Sequence, residues 1–218
     1  MRSPAWLALP LVLWLVGCGV NGQGSFYDLA ATGSAQQVLA AIQRGADARE
    51  QDPLGVTPLM TAAATNQDPD VLQVLMAAGA GVNQRDTLGA TPLMYAVKAN
   101  RNPAVAEALL AAGARVGDRD FMDQTPLMLA ARWNASPEVL RALLRAGARI
   151  NDRDLFGVTA LMLAAEHTSN PDVVQSLLDA GADATPRSWG GKNAYELAGD
   201  NPVLKGTAAL SALAAAAQ

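Results

Sequence analysis

Few side chains in this 218-residue chain are equipped for covalent or metal chemistry. Cys18 is the single cysteine, so no disulfide can form within the chain. His167 is the single histidine, which excludes a histidine pair or a multi-histidine metal site. Aspartates come close together at Asp118 and Asp120 and again at Asp152 and Asp154, a pattern that could suggest calcium. The spacing lacks the glycine and the terminal glutamate of a calcium loop and carries little weight. No serine or cysteine is matched with a base, and no glycine-rich phosphate loop is present. The inventory points away from an enzyme and implies no cofactor.

What recurs instead is spacing. Met60, Met94, Met128 and Met162 follow one another at 34 residues, as do Arg85, Arg119, Arg153 and Arg187. The methionines could act as an oxidant sink or as flexible core filler, the reading preferred here. The arginines are each followed by Asp86, Asp120, Asp154 or Ser188. They could form a basic strip for an acidic partner. Preferred is a set of ion pairs between successive units, each worth little at a surface.

The same interval runs through Thr57, Thr91, Thr125 and Thr159, and through Gly79, Gly113, Gly147 and Gly181. Four units, 52–85, 86–119, 120–153 and 154–187, align without a gap and share twelve identical positions. In unit 86–119, Thr91-Pro92 predicts a helix start, because Thr caps free backbone N–H groups and Pro fits the first helical position. Leu93, Ala96 and Val97 supply its apolar stripe. Asn102-Pro103 starts a second helix, whose expected stripe is Val105, Ala108, Leu109 and Ala112. Gly113 closes it in the left-handed conformation usual at a helix end. Unit four departs slightly, with Thr159-Ala160 in place of Thr-Pro. A helix pair this short cannot bury its apolar face alone, so neighbours must stack into one continuous core.

The run D-x-x-G-x-T-P-L-x-x-A-A, continued by V-x-x-L-L-x-x-G-A-x-(V/I)-N, resembles the ankyrin repeat. The resemblance implies an all-α ankyrin-repeat solenoid of helix-turn-helix units covering 25–218, with an amino-terminal cap at 25–51 and a carboxy-terminal cap at 188–218. Two features depart from that family: a period one residue longer than the usual ~33, and methionine where the T-P-L-H motif has histidine. Methionine is expected to lose the histidine's hydrogen bonds and to be held by packing alone.

The resemblance also implies binding through loop tips and the inner face of the first helices. The tips carry Leu54 and Val56, Leu88, Phe121 and Met122, then Leu155, Phe156 and Val158, with Trp189 in the same place in the last cap. Such residues either pack between neighbouring repeats or form an exposed apolar stripe that marks a contact site. On the first helices Tyr95, Trp133 and His167 stand out. Trp133 replaces Ala99 of the preceding unit, so the repeat does not require it, and Trp and Tyr dominate interface hot spots. The expected protein-binding set is Leu88, Tyr95, Phe121, Met122, Trp133, Phe156, His167 and Trp189.

The first segment reads as an address. Met1-Arg2 is positive, and Ala5 to Val16 is uncharged and apolar but too short for the about 20 residues of a membrane span. Leu15-Val16-Gly17-Cys18 resembles the lipobox of bacterial lipoproteins. That implies a signal peptide at 1–17, a lipid-bearing Cys18 and a flexible tether through residue 24. Gly19, where inner-membrane retention commonly uses Asp, favours the outer membrane facing the periplasm. Net charge is -4 without a basic run, which argues against nucleic acid. The expectation is a monomeric, membrane-anchored interaction module with a protein partner, supporting an oxidative-stress enzyme or neutralising a periplasmic toxin. The alternatives are a structural envelope lipoprotein and, least favoured, a hydrolase.

Overall fold

The computed structural model describes residues 25–133 and 136–218; Cys18 and the expected signal and tether lie outside the described residues. The described chain forms helix pairs without strands. The first helices are α1 (Phe26–Thr32), α3 (Pro58–Thr65), α5 (Pro92–Ala99), α7 (Pro126–Trp133), α9 (Ala160–His167) and α11 (Ala194–Ala198). The second helices are α2 (Ala35–Gln43), α4 (Pro69–Ala77), α6 (Pro103–Ala111), α8 (Pro137–Arg145), α10 (Pro171–Asp179) and α12 (Ala208–Ala216). First helices pack on first helices along the stack and second helices on second helices, so two parallel layers share one core. This is the all-α solenoid expected from the repeat.

Local chemistry sets the helix starts. The hydroxyls of Thr57, Thr91 and Thr159 accept from the N–H groups of Met60, Met94 and Met162, and Pro occupies the first turn wherever the sequence supplies it. Asp68, Asn102 and Asn170 accept from the N–H two residues on and so start the second helices. Gly45, Gly79, Gly113, Gly147 and Gly181 follow the second helices with φ between 87° and 104°, a region that costs a Cβ-bearing residue roughly 1–2 kcal/mol. Leu93, Ala96 and Val97 are buried as expected. In α6 the buried stripe is Val105, Ala106 and Leu109, and Ala112 is exposed. Ala112 is the C-cap, already past the last turn that packs.

Ala160 is buried at the position where Pro58, Pro92 and Pro126 are buried in the other units, and Thr159 before it is extended. Ala160→Pro is expected to raise stability by about 0.4–1 kcal/mol, chiefly by restricting the unfolded chain. Urea unfolding checks this; a lower midpoint would show that the fourth turn has lost the geometry of its neighbours.

The units are also joined by polar bonds that recur with the repeat. The side-chain amide of Asn66 donates to the carbonyls of Ala30 and Gly33 at 3.0 and 2.9 Å. That of Asn100 donates to Ala63 and Asn66 at 3.1 and 2.7 Å, and that of Asn201 to Ala165 and Thr168, both at 3.1 Å. These asparagines are buried at the carboxyl ends of the first helices, where backbone carbonyls lack helical partners. Each satisfies the end of the helix before it.

The methionines are fully buried, and two of the four, Met60 and Met128, are not held by packing alone. The N–H of Thr57 donates to the Met60 sulfur at 3.4 Å, and that of Thr125 to the Met128 sulfur at 3.5 Å. The sulfur closes a box with the threonine that caps the same helix, a contact the expectation of packing alone did not include. Buried so deeply, the sulfurs serve the core and not the surface.

Candidate protein-binding face

Between one unit and the next the chain makes a finger-like turn, organised by the opening aspartate. Asp86 accepts from the N–H groups of Leu88 and Ala90, both at 2.8 Å, and Asp52, Asp120 and Asp154 do the same in their own turns. Of the carboxylates that could have suggested calcium, Asp120 and Asp154 are thus occupied by backbone donors, while Asp118 and Asp152 face Arg85 and Arg119. Among the described residues no group of three or more His, Cys, Asp or Glu side chains is placed to hold a metal ion.

Adjacent fingers are strapped to one another. The N–H of Thr87 donates to Leu54 O at 2.9 Å, Phe121 to Leu88 at 2.9 Å, Leu155 to Met122 at 3.2 Å and Trp189 to Phe156 at 2.9 Å. The arginine ladder runs beside this row. Arg85 donates to the carbonyl of Arg119, Arg119 to that of Arg153 at 3.0 Å, and Arg153 to that of Arg187. Arg119 also pairs with Asp152 at 2.9 Å, and Arg85 with Asp118 at 3.8 Å. The ladder therefore links repeats, as preferred. Its anionic partners across units are the aspartates that precede the next arginine, Arg119 and Arg187 also pair with Asp123 and Glu196, and its regular partner is a backbone carbonyl.

Strapped in this way, the tips cannot fold back on the core. Leu54, Leu88, Phe121, Leu155, Phe156 and Trp189 are all exposed, Trp189 to 79%. Met122 is half-buried. The rings of Phe156 and Trp189 meet edge to face with centroids 6.0 Å apart, so packing between neighbours takes up part of the stripe and leaves most of it open.

The helix residues behave differently. Tyr95 is half-buried and donates its hydroxyl to the Asp86 carboxylate at 2.8 Å. Burial and that carboxylate raise the phenol well above its ordinary pKa, so it remains a donor committed to its own finger. Trp133 ends α7 and is 54% exposed. The Arg132 guanidinium lies 4.9 Å from the centroid of its ring and the Lys98 ammonium 5.8 Å, so cations flank the indole. His167 holds the same register in α9, with Nε2 3.5 Å from the Glu166 carboxylate. Burial lowers its pKa, Glu166 opposes that, and Arg132 adds to the lowering, which favours the neutral ring.

The eight residues expected to form one surface thus fall into two groups. Leu88, Phe121, Met122, Phe156 and Trp189 line the fingers, at the amino-terminal ends of the first helices, and Tyr95, bonded to Asp86 of its finger, belongs with them. Trp133 and His167 sit at the carboxyl ends of α7 and α9, about 12 Å away along a helix of eight residues. Lys98 and Arg132 were missed by sequence reasoning. The signal was available, because 64, 98, 132 and 166 form one register directly before 65, 99, 133 and 167, and that register turns basic only beside the tryptophan.

Where the inter-helix loops of successive units face each other, a cleft of about 460 Å³ opens around Arg101, Glu138 and Asp172. It is open to solvent and mixed in charge.

No curated protein matches the chain. The family described as ankyrin repeats in three copies matches residues 26–120 and 105–188, which together span most of the helical region. With strapped fingers, paired helices and that match in agreement, the chain belongs to the ankyrin-repeat family, and its repeats make it a protein–protein interaction module.

Proposed function

We propose that the chain is a lipid-anchored adaptor of the bacterial envelope that holds one protein partner on the carboxyl ends of its first helices, centred on Trp133. The observation that carries this reading is the tryptophan itself. The same register holds Thr65, Ala99 and His167 in the other units, so the fold does not need an indole there, yet one stands half exposed with two cations near its ring. A large, rigid ring at low entropic cost, ringed by charge, is what interface hot spots use. Arg132 and Lys98 would meet carboxylates or carbonyls of the partner around an apolar centre. An oxidative-stress enzyme or a toxin delivered to the periplasm are the partner classes this location suggests.

Crosslinked capture from the cell envelope tests the reading, with wild type beside Trp133→Ala. One partner held by the wild type is expected to be lost or weakened by about 2 kcal/mol, roughly thirtyfold, in a variant whose helix content and urea midpoint are unchanged. Equal capture by both chains would move the partner off this face. No capture by either would favour a structural lipoprotein.

A further inference from the structure

We infer that the row of finger tips lies on the lipid surface to which the chain is anchored, leaving the helix ends around Trp133 free for protein. The inference rests on the proposed lipid anchor at Cys18 and concerns a different edge of the molecule from the partner face.

Three observations converge. First, the tips form an apolar row whose backbone is fixed from finger to finger, so Leu54, Leu88, Phe121, Leu155, Phe156 and Trp189 are displayed along one edge and cannot retreat. Second, the chain enters the domain on that same edge. The carboxyl ends of α1 and α3 are in register, since Thr65 and Asn66 donate to the carbonyls of Ala31, Ala30 and Gly33. Their amino-terminal ends are therefore in register too, and Tyr27 at the start of α1 donates its hydroxyl to Val56 of the first finger at 3.2 Å. Third, the six residues 19–24 separate Cys18 from Ser25. Fully extended, they allow a reach of about 25 Å, comparable with the thickness of the domain's two helical layers and too little to let the edge drift far from the bilayer.

Lipid suits this edge chemically. Tryptophan and phenylalanine settle at the level of the headgroups, and leucines add buried apolar area to an attachment already supplied by acyl chains. The exposed residues of the edge are shallow, one or two per finger, so they would enter the interface and not the hydrocarbon centre. Among the described residues no helix is long and apolar enough to cross a membrane, which is consistent with a domain that lies on the surface.

The test uses the full lipoprotein, purified from its envelope and reconstituted into phosphatidylethanolamine–phosphatidylglycerol vesicles in which part of the lipid is brominated high on the acyl chain. The sequence holds four tryptophans, and removal of residues 1–17 takes away Trp6 and Trp14. Trp133→Phe then leaves Trp189 as the single emitter, and Trp189→Phe leaves Trp133. Bromolipid is expected to reduce Trp189 emission about twofold and to leave Trp133 emission unchanged, because only the former sits at the interface. Flotation of the vesicles reports the anchor separately. A chain that floats while Trp189 stays unquenched overturns the inference and leaves the anchor standing, as does one whose Trp189 is shielded only when a protein is added. A chain that does not float overturns both.

Discussion

Asn100→Ala is expected to lower stability by about 3 kcal/mol, a large share of what holds a chain of this size folded. Asn100 is 2% exposed, and its amide serves the carbonyls of Ala63 and Asn66 while its own oxygen accepts from Asn102 N–H at 2.9 Å. Alanine would leave those groups in a dry junction with no water to replace the lost bonds, and an orphaned buried polar group costs roughly 1–3 kcal/mol. The damage should be local in origin, because Asn100 joins the unit at 52–85 to its own. Urea unfolding measures the loss, and hydrogen exchange locates it at the ends of α3 and α5. Asp68→Ala is the comparison: that side chain is more exposed and caps α4 through the Asp70 N–H, so about 1 kcal/mol is expected. If the two variants proved equal, the buried asparagines would be ordinary caps and not the connectors between units.

Cys18→Ser is expected to abolish incorporation of labelled fatty acid and to leave no trimmed chain beginning at residue 18. The expectation follows from the proposed lipobox: the sulfur is the acceptor, and serine offers no thiol. The physical effect on the mature protein is nearly all-or-none. One myristoyl-length chain binds a membrane only marginally, whereas two or more chains, at about 0.8 kcal/mol per buried methylene, make attachment stable. Metabolic labelling with intact-mass measurement decides it. A wild-type chain that takes up no label would remove the anchor and, with it, the envelope role.

The fold was legible because its signals are local and repeated. Thr-Pro and Asn-Pro starts, glycine after each second helix and twelve shared positions per unit leave little room for another architecture. Three connections were harder to see, for one common reason. Asn66 and Asn100 look like loop residues in a linear reading, yet they are buried polar links between units. Arg119 looks like an ion-pair residue, yet a recurring partner is the carbonyl of Arg153, 34 residues on. Met60 looks like packing alone, yet its sulfur accepts from Thr57. In each case the partner is a backbone group, and backbone groups carry no letter in a sequence. The candidate site was half legible for a related reason. The exposed apolar tips and Trp133 could be named from their departures from the repeat, but their separation to opposite ends of the first helices needed the helix bounds. The basic pair beside Trp133 became visible only once Lys98 and Arg132 were placed against the ring.

The arginine ladder has a consequence for growth. Each guanidinium reaches the carbonyl of the residue that occupies its own place one unit later. A bond of that kind is indifferent to where in the stack it is made. Duplicating one 34-residue stretch in frame would therefore create a new unit whose donors and acceptors are already matched on both sides, and deleting one would rejoin the remainder without a mismatch. The span of this protein can thus be lengthened or shortened in steps of about 10 Å, one helix diameter at a time, while the arginine–carbonyl bond of each junction is kept. Reach, in such a molecule, is inherited separately from recognition.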